Sequence, residues 1–229
     1  MGGQACILYG AAEFSRDADF AILASKDNFG RLQAAMNELK AEVVAVPPFD
    51  PRFLERGHAI HFRCGHPDTK GFRVDVMVKL RGVDPFPKLW ARRTTWEIGH
   101  GNQVNSLSLP DLVASKKTQR DKDWPMIRRL VEASYVQSLQ SPTSEQILFW
   151  LEELRTPELL ADCVERFPTE SRNVGDFRPA VQAAIAGKPD EVVEALDTEE
   201  AVERNLDRAY WAPLKAELEQ LRHDLSRRK

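Results

Sequence analysis

The period of the apolar positions changes along this chain, and the changes divide it. From Ala18 to Ala24 the run Ala-Asp-Phe-Ala-Ile-Leu-Ala is short and nearly continuous, which predicts a buried strand. Before it, Gln4 to Ala12 sets Ala5, Cys6, Leu8 and Tyr9 on one side of a short helix. After it, Ser25 or Asp27 caps a helix in which Phe29, Leu32, Ala35, Met36 and Leu39 recur at helical spacing. Ala41 to Val46 reads as a strand ended by Pro47-Pro48, and Phe49 to Arg56 as irregular chain with at most one helical turn. His58 to Cys64 and Phe72 to Leu80 both alternate, around a Gly65-His66-Pro67-Asp68 turn, and predict a hairpin. A loop at Gly82 to Pro87, a helix within Phe86 to Trp96 and a short strand at Val104 to Leu107 follow. Ser108, with Asp111 three residues on, opens a helical stretch running to Tyr135, in one piece or broken near Trp124-Pro125.

Past the polar segment 137–142 the pattern is helical only. Ile147, Leu148, Leu151 and Leu154 form one stripe, and Leu159, Leu160, Cys163, Val164 and Phe167 another. Thr169 to Gly175 reads as a polar loop. Val181 to Ile185 and Val192 to Leu196 predict short helices, and Val202 to Leu225 a long last one kinked at Pro213. The fold class predicted is α/β (α+β): a small mixed sheet flanked by helices over residues 1–137, then an all-helical C-terminal domain over 138–229.

Composition narrows the function classes. With 229 residues, 42% hydrophobic and 29% charged, the chain is ordinary globular material. A net charge of -3 argues against strong non-specific nucleic-acid binding, while leaving room for a local basic patch. No apolar run approaches membrane-spanning length, so no membrane partner is expected. Met1 is followed by glycine and not by a basic leader, and the three cysteines form no CxxC; a cytoplasmic location is the expectation.

The candidate chemistry lies in acids on strands. Asp17 and Asp19 are two apart, so a strand points both to one face. Like charges so close repel unless a cation lies between them. Asp75, within Arg73-Val74-Asp75-Val76-Met77, belongs to a second such strand, on a face with Arg73, Met77 and Lys79. If the strands are neighbours, three carboxylates converge. That is a donor set for divalent cations: two magnesium ions, with manganese as the substitute. A zinc site from His58, His61, Cys64 and His66 is disfavoured, since alternation sends His61 and Cys64 to opposite faces.

Gly2-Gly3-Gln4-Ala5, a short helix, Asp17-Ala18-Asp19, and then Asp75 on a later strand together resemble the nucleotidyltransferase superfamily, nearest its AbiE-type toxin branch. The stretch from Ser108 to Asp123, with Lys116-Lys117, Arg120 and Lys122-Asp123, is similar to the family's basic helical segment. The resemblance covers about residues 1–135. It implies transfer of a nucleoside monophosphate from a nucleoside triphosphate to an acceptor hydroxyl on RNA, protein or a small molecule, with a cognate antitoxin as a partner. By the same resemblance Asp17, Asp19 and Asp75 are the catalytic and metal-holding acids. Gly2 and Gly3 match the diglycine turn at the phosphates, and Ser15 the hydroxyl residue two before the first acid. Lys116 or Lys117 matches the triphosphate lysine, with Arg120 and Arg73 as further cations. The family carries a strand before the diglycine, where this chain has Met1 alone, and a branched aliphatic where it has Ala18. The alternative is a catalytically silent member that binds a nucleotide or a protein partner; a third reading is an interaction module working through its C-terminal helices.

Overall fold

A computed structural model describes residues 1–44 and 46–227. Two compact units divide the chain. Met1–Ser115 joins the segment from Arg208 onward in one, and Lys116–Asp207 forms the other. This differs from the expected division at 137/138: the basic segment belongs with the helices that follow it, and the end of the last helix belongs with the sheet.

The first unit is α+β. A helix α1 (Gly2–Leu8) precedes strand β1 (Asp17–Ala21), helix α2 (Lys26–Glu38) and a two-residue strand β2 (Glu42–Val43). The strand expected over 41–46 is thus shorter; Ala45 lies outside the described residues. Helix α3 (Pro51–Arg56) occupies the segment expected to be irregular. Its local signals are complete. The Asp50 side chain accepts from the Arg52 N–H, Pro51 stands in the first turn, and Gly57 ends it in the left-handed conformation.

Strands β3 (Ile60–Arg63) and β4 (Arg73–Met77) form the predicted antiparallel hairpin, and the sheet order is β1-β4-β3-β2. Pairing of β1 with β4 is parallel, the others antiparallel, so the sheet is mixed. One face of this sheet carries Ile60, Phe62, Val74 and Val76, buried against Phe29 and Met36 of α2 and Leu54 of α3. Cys64 lies in the same core, away from His61, as strand alternation requires. The opposite face is left for polar side chains.

Helix α4 (Phe86–Ala91) leads into a second hairpin, β5 (Thr94–Glu97) and β6 (Gln103–Ser106). Only the second of these strands was expected; Thr94-Thr95-Trp96 and the glycine-rich turn after it were the available signal for the first. Helix α5 (Leu109–Ser115) closes the first part of the unit. The Ser108 hydroxyl caps it, accepting from the Asp111 N–H and donating to the Asp111 carboxylate, which Arg92 holds by two 2.6 Å hydrogen bonds.

The second unit is helical: α6 (Asp123–Ser138), α7 (Ser144–Glu153), α8 (Pro157–Arg166), α9 (Pro168–Gly175), α10 (Pro179–Ile185) and the part of α11 (Pro189–Arg227) before Arg208. Pro125 sits in the first turn of α6, where its missing N–H matters least. A Thr143–Gln146 capping box opens α7. Helix α9 replaces the expected polar loop: Pro168 starts it, and Val174 and Ser171 are buried. Its period was hidden because only two of its residues face the core. Helix α11 runs unbroken through Pro213, absorbing the two separate helices expected there. Trp150 and Tyr135 meet edge to face at 5.0 Å in the core, and the Trp150 indole donates to Ser134. Among the described residues no helix is long and apolar enough to cross a membrane.

Arg178 ties this unit together. It is 6% exposed and donates to the Leu151 and Leu154 carbonyls, which end α7, and to both oxygens of Glu199 on α11. Replacing it leaves two buried carbonyls without these donors and the half-buried Glu199 carboxylate with Arg155 as its remaining cation. Arg178→Met is expected to lower stability by about 2–4 kcal/mol, read from the midpoint of urea unfolding at unchanged slope.

Candidate active site: three acids on one face of the sheet

The register of β1 and β4 decides the geometry. Asp17 lies opposite Arg73, and Asp19 opposite Asp75. Partners in neighbouring strands are about 4.8 Å apart and point to the same face. All three acids therefore occupy the face turned away from the apolar core. His61 of β3 joins them, as the partner of Asp75 on the other side. Phe20, on the apolar face, stays half-exposed because β1 is an edge strand.

Asp75 is the most enclosed of the group, 5% exposed. Its two oxygens are both occupied. Arg73 Nε donates to Oδ1 at 3.0 Å and Nη2 to Oδ2 at 2.6 Å, a bidentate pair. His61 Nδ1 is 2.8 Å from Oδ1. Burial works against ionisation of Asp75, yet the hydrogen bonds from His61 and Arg73 outweigh it and hold the carboxyl below the usual carboxylate range. The Arg73 guanidinium is held more firmly charged than usual, first by its hydrogen bonds to Asp75 and then by the charges of Asp75, Asp17 and Asp19. Arg73 thus serves all three acids as their common cation.

The N-terminal helix is fitted to the acid strand. Ser15 Oγ lies 3.0 Å from both Asp17 Oδ1 and the Asp17 carbonyl. The Gln4 side chain donates to the Asp17 carbonyl, and the Met1 nitrogen to that of Asp19 at 2.8 Å. Gly2 has φ +67, and a Cβ there would fall 1.8 Å from Asp19 Oδ2 and 2.8 Å from Asp19 Cβ. A Cβ at Gly3 would fall 2.3 Å from Ser15 Oγ. Both glycines are thus required by close approach, Gly2 to the acid strand and Gly3 to Ser15, and Gly2 by its backbone as well. Behind them, Tyr9 anchors the helix: its hydroxyl meets Thr94 and the Leu107 carbonyl, and its ring packs edge to face on Trp96.

The basic residues expected at the triphosphate are arranged differently from the sequence reading. Residues 116–122 lie between α5 and α6 and are not helical, so Lys116 and Arg120 share no helix face. All three belong to the second unit, and each faces a carboxylate of that unit. Lys117 Nζ is 2.6 Å from Glu153, Arg120 Nε 2.7 Å from Asp123, and Lys116 Nζ 3.9 Å from Asp123. Asp123 is buried and also accepts from the Thr118 hydroxyl. Asp121 pairs with Arg204. Sequence leaves His61 and Arg63 either flanking the site or in solvent; the structure sets His61 directly against Asp75, a place that follows from hairpin register.

Three carboxylates share one face of adjacent strands, and the guanidinium among them marks a place where positive charge is favoured. Among the described residues, no three His, Cys, Asp or Glu side chains already converge on one point. The physical reason is visible at Asp75, which is turned onto Arg73 and His61. Comparison with family models, with curated proteins and with solved structures yields no match for this chain.

Two expectations follow. Gly2→Ala puts a Cβ at positive φ and against Asp19, and should lower stability by about 1–2 kcal/mol from the backbone alone; thermal unfolding measures it. Asp75 contributes stability that is present above its unfolded pKa, near 4, and lost as pH falls through its lower folded value. The acid limb of a pH–stability curve should accordingly be flatter for Asp75→Asn than for the wild type.

Proposed function

We propose that this protein is a metal-dependent nucleotidyltransferase, which moves a nucleoside monophosphate from a nucleoside triphosphate to an acceptor hydroxyl. The observation that carries the reading is the β1–β4 register, which pairs Asp19 with Asp75 and keeps Asp17 on the same face. A lone Asp-x-Asp on a wet strand face would need no explanation. A third acid in register beside it, with Gly2 fitted against Asp19 and Gly3 against Ser15, is a costly arrangement of like charges that a cation-dependent site would justify.

In this reading Asp17, Asp19 and Asp75 would hold magnesium or manganese. Such an ion, when bound, supplies the positive charge that phosphoryl transfer requires at the triphosphate and at the attacking oxygen. Asp75 orients the acceptor hydroxyl and takes its proton on a carboxylate oxygen. Ser15 fixes the Asp17 carboxylate. Gly2 and Gly3 keep the helix backbone close to the acids and free of side chains, so that a phosphate group can approach. Lys116 or Lys117, with Arg120, are proposed for the triphosphate by resemblance alone, since they face acids of their own unit. The acceptor is RNA, a protein or a small molecule.

One observation favours the second reading, a catalytically silent scaffold that binds a nucleotide or a protein: both oxygens of Asp75 are already engaged by Arg73 and His61. The two readings separate on incubation with each labelled triphosphate and magnesium. Pyrophosphate release or labelling of an acceptor by the wild type, reduced by about 10²–10³ in Asp17→Ala, is the expected outcome. Triphosphate binding with no release in either protein would establish the silent scaffold instead.

A further inference from the structure

Arg73 and Asp75 are two apart on one strand, on the same face, and their bidentate pair is the tightest contact in the acid group. A carboxylate with partners on both oxygens, one of them a guanidinium, has little charge left to offer an arriving cation. The two partners differ in freedom: the Asp75 side chain is 7% exposed, while that of Arg73 is 46% exposed. Asp75 is therefore fixed, and Arg73 has solvent to move into. Its long side chain can leave without unpacking the core, because the packed face of the sheet is the other one.

The charges around it point the same way. Arg73 feels Asp17 and Asp19 as well as Asp75. With Arg73 in place the acids and the guanidinium carry a net charge of about -2, and without it about -3, on ordinary ionisation. A cation arriving at Asp17 and Asp19 meets a guanidinium already there, and the two repel.

We propose that Arg73 is a built-in competitor for the cation, and that Asp75 becomes available only when Arg73 lets go. In the resting protein the guanidinium closes the third carboxylate and keeps a bare ion weakly held. An incoming triphosphate offers Arg73 a replacement anion, so the guanidinium leaves Asp75 for phosphate oxygens as the ion takes its place. Metal loading then depends on the arrival of substrate. His61 remains on Asp75 throughout and keeps the carboxylate oriented. This inference rests on the proposed nucleotidyl-transfer reading, and concerns how its acids are made available.

The test uses manganese alone, followed by the EPR signal of free Mn²⁺, on the full chain. Arg73→Gln removes the charge and the bidentate pair, and should bind Mn²⁺ about tenfold or more tightly than the wild type. Arg73→Lys keeps the charge but not the fork, and should show a smaller gain. Both gains should vanish when Asp19→Asn is added. Far-UV circular dichroism checks that each variant is folded, and the lysine variant carries the test if the glutamine variant is not. Equal or weaker Mn²⁺ binding in the folded Arg73 variants, with wild-type binding that Asp19→Asn abolishes, would overturn the competitor while leaving the metal reading intact. No Mn²⁺ binding by any folded variant would overturn both.

Discussion

Repulsion among Asp17, Asp19 and Asp75 is the constraint on which the first unit is built. Parallel pairing of β1 with β4 in this register sets Asp19 beside Asp75, about 4.8 Å away, with Asp17 one step along. Left alone, such a group would oppose the pairing that creates it. The strand pair is tolerable because Arg73 sits opposite Asp17, bonds Asp75, and acts on all three acids. Hydrophobic burial on the far face, from Ile60, Phe62, Val74 and Val76, holds the strands together. The cation makes the near face compatible with that packing.

Around this pair the remaining elements act as positioning devices. Helix α1 is too short to be stable in isolation, and it is held from both ends. Tyr9 anchors its end on the second hairpin, and Gly2 and Gly3 let its beginning settle against Asp19 and Ser15. The end of α11 belongs to this unit through a carboxylate too: Glu217 pairs with Arg56 and with the buried His58, at the turn that leads into β3. Chain entry and chain return are each fixed by polar contacts next to the sheet that carries the acids.

How legible this was in the sequence depends on which kind of periodicity carried the information. Strand faces were readable because a period of two survives an error of a residue or two at each boundary. Asp17, Asp19 and Asp75 share a face whether β1 ends at Ala21, as found, or at Ala24, as expected. The hairpin of β3 and β4 was readable from its alternation and its Gly-His-Pro-Asp turn. Short helices and strands were not: α9 has too few core-facing residues to show a period, and β5 was read as the tail of a helix. What no pattern within one strand contains is the partner across a register. His61 beside Asp75, and Asp19 beside Asp75, are facts of pairing and not of local sequence.

The basic segment shows the converse. Its expected role required Lys116 and Arg120 to lie one turn apart on a helix, and that argument holds only while the helix is continuous. Between Ser115 and Asp123 it is not. Thr118 and Asp123 instead form a local knot: the Thr118 hydroxyl donates to Asp123 and accepts from the Arg120 N–H, and the Trp124 indole donates to the Thr118 carbonyl. A buried carboxylate at Asp123 needs positive charge beside it, and Arg120 and Lys116 meet that need within their own unit. The same logic applies at Asp75, where the cation is Arg73. In both places a buried acid selects a basic neighbour before any ligand is considered. The difference is in what surrounds the pair. Asp123 has two cations on it, Arg120 and Lys116, which together balance its charge. Asp75 has Asp19 and Asp17, and one guanidinium cannot neutralise three carboxylates. That residual negative charge separates a folding contact from a place suited to a further cation, and it is why the functional reading rests on the strand-borne acids and not on the basic run.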